Sequence, residues 1–213
     1  IELQQKALDT ARAYKQSMLQ KMFPQKGEKV PRVRFEGFSG EWEEITLNQV
    51  GDSYNGLSGK TKEDFGTGNP FITDKNIFDQ SGIKHLEHCE YVELQEGEHQ
   101  NHVEMGDLFF TTSSETPEEV GFSSVLLFEP EEKTYLNSFC FGVRLKDEGI
   151  LHPNFSQFLF RASEARRKIS ILAQGSTRFN ISKTKFMELS FLVPTFEEQT
   201  QIGNFFEILD QQI

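Results

Sequence analysis

Apolar residues recur at helical spacing at both ends of the chain and in short strand-like runs between them. Near the start, Ile1, Leu8, Ala11, Met18 and Met22 fall seven, three, seven and four positions apart, with Glu2, Lys6, Arg12, Lys15 and Lys21 between them. Such spacing puts one apolar stripe on a helix, and the stripe needs a partner. Near the end, Thr195 stands three residues before Glu198, the spacing at which hydroxyl and carboxylate each satisfy an orphan amide at a helix start. The helix so opened carries Ile202, Phe205, Phe206, Leu209 and Ile213. Two arrangements fit. Leu8, Ala11, Met18 and Met22 can pair with Ile202, Phe206, Leu209 and Ile213, or each helix can lie on the core of the domain between them, since two heptads are short for a coiled coil.

Between the stripes the period changes. Pro24, Gly27, Pro31, Gly37 and Gly40 interrupt residues 24–40, which read as a linker. Trp42, Ile45, Leu47 and Val50 begin a core, and short apolar pieces follow at 71–73 and 77–78. Runs rich in β-branched and aromatic residues predict strands at 91–94, 108–111, 120–128, 139–145 and 189–193. Pro153 and Asn154 open a helix expected to turn Phe155, Phe158, Leu159, Ala162, Ile169 and Leu172 inward and Arg161, Glu164, Arg167 and Lys168 largely outward. The pattern predicts an α+β fold: a recognition-sized domain at 41–193 with a mixed or antiparallel sheet, flanked by helices at 1–23 and 194–213.

At 213 residues the chain can build one sizeable core with a helical appendage, and its aromatic content is almost all phenylalanine. No apolar run is long enough to cross a bilayer, and the start is not a secretion signal. Because the first stripe is already under way at Ile1 and the last stops at Ile213, a piece of a longer protein is expected. Cys89 and Cys140 are too few for a disulfide scaffold, so reduced thiols in a cytoplasmic protein are expected. The net charge of −11 argues against nucleic acid as a partner until its distribution is considered. Residues 151–190 hold Arg161, Arg166, Arg167, Lys168, Arg178, Lys183 and Lys185 against only Glu164 and Glu188, whereas residues 87–132 hold thirteen carboxylates and no Lys or Arg. The split predicts an electrical dipole with one face for a polyanion and an acidic face turned away from it.

Few residues suggest catalysis. Asn69-Pro70-Phe71 is similar to the Asn-Pro-Pro-aromatic motif of amino-methyltransferases, but a proline and the glycine-rich cofactor loop are missing. Glu131-Glu132-Lys133 has the acidic-x-Lys spacing of metal-dependent nucleases, in a stretch that reads as a turn. His85, His88, Cys89, His99 and His102 cluster without the paired cysteines of a zinc framework, so no metal and no cofactor is expected. Recognition is the stronger reading. Gln174, Ser176, Thr177, Arg178, Asn180, Lys183 and Lys185 are side chains that proteins use on DNA, with arginine or amides on base edges and hydroxyls or lysines on phosphate. Lys60 and Lys62, then Thr73, Lys75 and Asn76, then Ser113 and Ser114, offer the same inventory on other loops, and Arg167 and Lys168 add charge from the basic helix. Each alone is an ordinary surface group.

Taken together, the chain resembles the specificity subunit of type I restriction-modification systems. The matching features are Leu19-Gln20-Lys21-Met22-Phe23, the run Pro31-Arg32-Val33-Arg34-Phe35-Glu36-Gly37-Phe38 before Glu41-Trp42, and Pro70-Phe71-Ile72-Thr73. Gly106-Asp107-Leu108-Phe109-Phe110-Thr111, Tyr135-Leu136-Asn137-Ser138-Phe139, Gly175-Ser176 with Asn180-Ile181-Ser182, and Pro194 with Glu197-Glu198-Gln199 and Ile202 follow in order. The resemblance implies a second target-recognition domain, held by helices that pair antiparallel and set the gap between the halves of a bipartite site in double-stranded DNA. It also implies that methylation and restriction subunits are partners and do the chemistry. Only one recognition domain is present, and the two incomplete apolar stripes predict that copies self-associate through their helices. The rivals are a DNA enzyme with its own site at Asn69 or Glu131, and a helix-mediated protein-interaction module.

Overall fold

The computed structural model describes residues 2–86 and 89–213, with side chains from Gln4 onward. Helix α1 (Glu2–Met22) leads through a linker without regular structure to β1 (Glu43–Thr46), α2 (Leu47–Val50) and β2 (Gly51–Asn55). Next come β3 (Phe65–Ile72), α3 (Asp74–Asp79), β4 (Gly82–Ile83), β5 (Glu90–Val92), β6 (Leu108–Thr111), β7 (Ser113–Ser114) and β8 (Ser123–Leu126). The chain then forms β9 (Tyr135–Leu136), β10 (Cys140–Leu145), α4 (Pro153–Leu159), α5 (Ser163–Ser170), β11 (Phe179–Asn180), α6 (Lys183–Met187), β12 (Ser190–Val193) and α7 (Phe196–Asp210). The fold is α+β, as the periodicity predicts.

The central sheet has the order β2-β10-β6-β8-β4, antiparallel except where β4 runs parallel to β8. Strand alternation sorts its aromatic residues by face. Phe110 points into the larger core, with ring centroids 5.3 Å from Phe141, 5.2 Å from Phe160 and 4.6 Å from Phe186, while Phe109 joins Ile72, Ile77 and Leu126 on the other side. Asp107, next to the start of β6, is buried and accepts from Tyr54, Arg144 and the Glu104 amide, which gives the Gly106–Thr111 stretch a structural role. A second sheet, β5-β3-β9, packs a smaller core around Phe71 and Tyr135.

The expected long helix after Pro153 is two helices. Phe160 and Ala162 both turn into the core and leave α4 and α5 as separate pieces. Arg161, expected outside, is folded in between them and donates to the carbonyls of Ile77, Phe78, Gln80 and Ser123 at 2.6–3.1 Å. The strand expected at 120–128 is shorter, and 77–78 belong to α3, capped by Thr73. A glycine-rich stretch that reads as loop, 65–70, is strand β3, because its backbone finds partners in β5.

The apolar stripe of α7 is buried mainly against α4. A methyl group at Gly203 would lie 2.8 Å from the backbone of Asn154 and Phe155, so the two helices meet almost backbone to backbone. Phe206 sits 5.0 Å from Phe158 and 6.2 Å from Phe23, which follows the last turn of α1. Helices α1 and α7 do touch, through Lys15 and Asp210, and Met18, Leu19 and Met22 pack on the core that holds Ile202, Phe206 and Leu209. Leu8 and Ala11, further out on α1, stay partly exposed; Ile1 lies outside the described residues. Thr195 caps α7 by accepting from the Glu198 amide, but the Glu198 carboxylate does not return to complete the reciprocal pair. It is fully buried and takes two bonds of 2.7 Å from Arg34.

Candidate nucleic-acid interface

Two hydroxyl-rich segments far apart in sequence are laced together at one end of the central sheet. Beyond β6, Thr112 donates its amide and its hydroxyl to the Phe139 carbonyl, both at 2.8 Å, and its own carbonyl accepts from the Ile181 amide at 3.0 Å. The chain then pairs as β7 with β11, placing Ser114 opposite Phe179 and Ser113 opposite Asn180. Gln174 and Asn180 exchange backbone bonds of 2.9 Å, so residues 174–180 form a hairpin whose tip presents Ser176, Thr177 and Arg178 to solvent. Gly175 makes the tip possible: its φ is +135°, and a Cβ there would collide with the Arg178 carbonyl.

Against this ladder stands the start of α3. Asp74, Lys75, Phe78, Thr111, Ser113, Ser114, Glu115, Glu119 and Arg178 line one open groove of about 280 Å³. Arg178 is exposed, donates Nε to Ser113 Oγ at 3.2 Å, and lies 5.8 Å from the ring centre of Phe139, itself 55% exposed. The expected residues Lys75, Ser113, Ser114 and Arg178 therefore meet in one place, with Asn180 across the ladder and Thr73 and Asn76 engaged with each other at the head of α3.

Other expected residues are occupied elsewhere. Lys60 has little exposure and donates to the Glu98 carboxylate at 2.5 Å and the Glu93 carbonyl at 2.8 Å, which holds Glu98 down to about 2, and it is not a free cation. Lys62 is exposed in a single 3₁₀ turn. Arg167 is held by Glu164 at 2.7 Å, and Lys168 donates to the Ser190 carbonyl at 2.8 Å. Lys183 reaches Asn55 Oδ1 at 2.6 Å, beside exposed Lys185.

Two of the arginines counted toward the expected cationic face do not present their guanidiniums to solvent. Arg161 and Arg166 face inward; Arg166 donates to the carbonyls of Glu118, Val120 and Gly121 at 2.6–2.7 Å, and both guanidiniums lie about 5 Å from the ring centre of Phe122. Burial brings both down to about 10, so they remain charged at neutral pH. Five of the carboxylates of 87–132 lie near cations. Glu98 clasps Lys60, Glu104 and Asp107 hold Arg144, and Glu115 and Glu119 line the same groove as Lys75 and Arg178; Glu87 lies outside the described residues. Sequence patterning also missed Phe139, since a phenylalanine exposed beside an arginine carries no sequence signal.

The alternative chemistry is scattered. Asn69 lies in β3 opposite Val92, and Glu131, Glu132 and Lys133 are exposed in the turn before β9. Among the described residues no three His, Cys, Asp or Glu side chains gather as a metal site; His102 lies 3.2 Å from Glu104, and His88 is outside the described residues. Also among the described residues, no helix is long and apolar enough to cross a membrane.

The chain is an α+β domain with a helix at each end and an open polar groove where distant loops converge. The family model described as the type I restriction modification DNA specificity domain matches residues 39–213, and the chain belongs to that family. Among the solved structures that share the fold are three from type I systems. One, from work on complex assembly and conformational transition of the type I R-M system, is 20% identical with a TM-score of 0.66, covering 99% of this chain and 47% of that one. The HsdS subunit from Thermoanaerobacter tengcongensis is 20% identical with a TM-score of 0.64, over 99% and 46% of the two chains. The type I restriction-modification S subunit from M. genitalium is 15% identical with a TM-score of 0.54, over 83% and 40%. The chain thus spans about half the length of these proteins. No curated protein sequence matches it.

Proposed function

We propose that this domain reads one half of a bipartite site in double-stranded DNA, as part of a type I specificity subunit that leaves methylation and cleavage to its partner subunits. The observation that carries the reading is the β7–β11 ladder, which brings Ser113, Ser114 and Arg178 beside Lys75 on one open groove, with Asn180 across the ladder. Family membership and the shared fold support it. Arg178 has the planar donor fork suited to guanine and is already oriented by Ser113 and Phe139. Lys62, Lys183 and Lys185 are suited to phosphate, where they set affinity without choosing bases. Helices α1 and α7 are the parts suited to fixing the distance to the second half-site and to docking the methylation and restriction subunits, or a second copy of this chain.

Selection of bound duplexes from a randomised pool, with the methylation subunit present, tests the reading. Arg178→Ala is expected to cost about 1–3 kcal/mol and to relax the preference at one position. Lys185→Ala is expected to weaken all sequences alike and to reduce the salt dependence by about one phosphate contact. Retention of every duplex to the same extent by the unaltered protein rules the proposal out and favours a protein-interaction module.

A further inference from the structure

The groove has the wrong charge for a site that only grips phosphate. Asp74, Glu115 and Glu119 face Lys75 and Arg178 across it, three carboxylates to two cations. A carboxylate beside a phosphate is repelled, but one facing a base edge can accept from an exocyclic amine, the major-groove donor of cytosine and adenine. Of the three, Glu119 is the one held in place from several sides. Its Oε2 accepts from Ser114 Oγ at 3.2 Å, and Ser114 belongs to the ladder that orients Arg178. Its backbone is pinned on both flanks, because Arg166 draws in the carbonyls of Glu118, Val120 and Gly121. Its second oxygen, Oε1, has no hydrogen-bond partner among the described residues.

Resting on the DNA-reading function proposed above, we propose that Glu119 determines specificity by accepting a hydrogen bond from the exocyclic amine of a cytosine or an adenine. Arg166 is its positioning residue, acting through the loop backbone. An acceptor fixed this way, on a domain of net charge −11, costs general affinity for the polyanion and returns selectivity.

The experiment is duplex selection with the intact protein and its methylation subunit, followed by binding to the selected duplex and to one in which the chosen base is replaced by its deamino analogue, 2-pyrimidinone for cytosine or purine for adenine. Glu119→Ala is expected to lose about 5-fold or more in discrimination at one position, and to bind the two duplexes equally. Glu119→Gln removes the same charge but keeps an accepting oxygen, so it is expected to retain a preference for an amino-bearing base. Glu118→Ala, which removes a charge from the same loop outside the groove, is expected to raise affinity for all duplexes without changing preference. Thermal unfolding of each variant establishes that it folds. If Glu119→Ala folds and keeps the full preference, or if Glu119→Gln loses as much as Glu119→Ala, the inference fails while DNA reading stands. If the unaltered protein prefers no sequence, both fall.

Discussion

Arg34 and Glu198 lie 164 positions apart and meet through two bonds of 2.7 Å, with the carboxylate fully buried. The helix start at Thr195 is legible from spacing, but the partner of Glu198 is not, because a capping-box motif and a buried ion pair use the same residue type. Removing one member leaves the other charge unpaired in the interior, which costs more than the pair contributes over apolar side chains. Arg34→Ala is therefore expected to destabilise the fold by about 3–5 kcal/mol in urea unfolding, and the double replacement Arg34→Met with Glu198→Met by much less. Equal losses for the single and double variants would contradict this account. The arginines of 161–168 carry the same lesson. Counting them suggests a cationic face, yet Arg161 and Arg166 meet main-chain carbonyls, Arg167 meets Glu164, and only the folded chain decides which guanidinium is free.

At the scale of elements, the central strands and the two terminal helices were legible, and the break in the interior helix was not. Runs such as 108–111 and 139–145 declare themselves by composition, since central strands are covered on both faces. The helix after Pro153 breaks where no proline or glycine stands: Phe160 keeps a helical backbone, Ala162 turns extended, and both side chains are buried. Helix α7 depends on Gly203, whose position in a helix interior costs about 1 kcal/mol relative to alanine. Here the tertiary contact outweighs the propensity, because the added methyl would lie 2.8 Å from backbone atoms of α4 that cannot rotate away. Gly203→Ala is expected to lower stability by about 1–3 kcal/mol, read as a fall in the urea midpoint with an unchanged slope. A gain in stability would mean that α7 is not seated on α4 as described.

For the whole molecule, the two terminal stripes have different fates. That of α7 is covered by α4 and the end of α1, while Leu8 and Ala11 on the outer half of α1 stay partly exposed, and Tyr14 nearby is 49% exposed. A helix of 21 residues extends about 31 Å at 1.5 Å per residue, so α1 is longer than the 15-residue α7. The exposed stripe motivates the expectation that copies pair through α1 at high concentration, and that Leu8→Asp shifts the sedimentation profile toward monomer. Strictly monomeric behaviour of the unaltered chain across the concentration range would count against it.

What the sequence determined by itself is whatever depends on near neighbours along the chain: the α+β pattern, the cap at Thr195, the core strands, and the donor-rich segment 174–180. Spacing and side-chain chemistry act over a few residues, so they can be read in order. The tertiary structure alone decided which donors share a groove, which arginines turn inward, and where the acidic residues lie, because each of these is settled by contact between segments tens of residues apart. Ser113 and Asn180 become neighbours only through a ladder that closes over the intervening chain, and no local rule encodes that meeting.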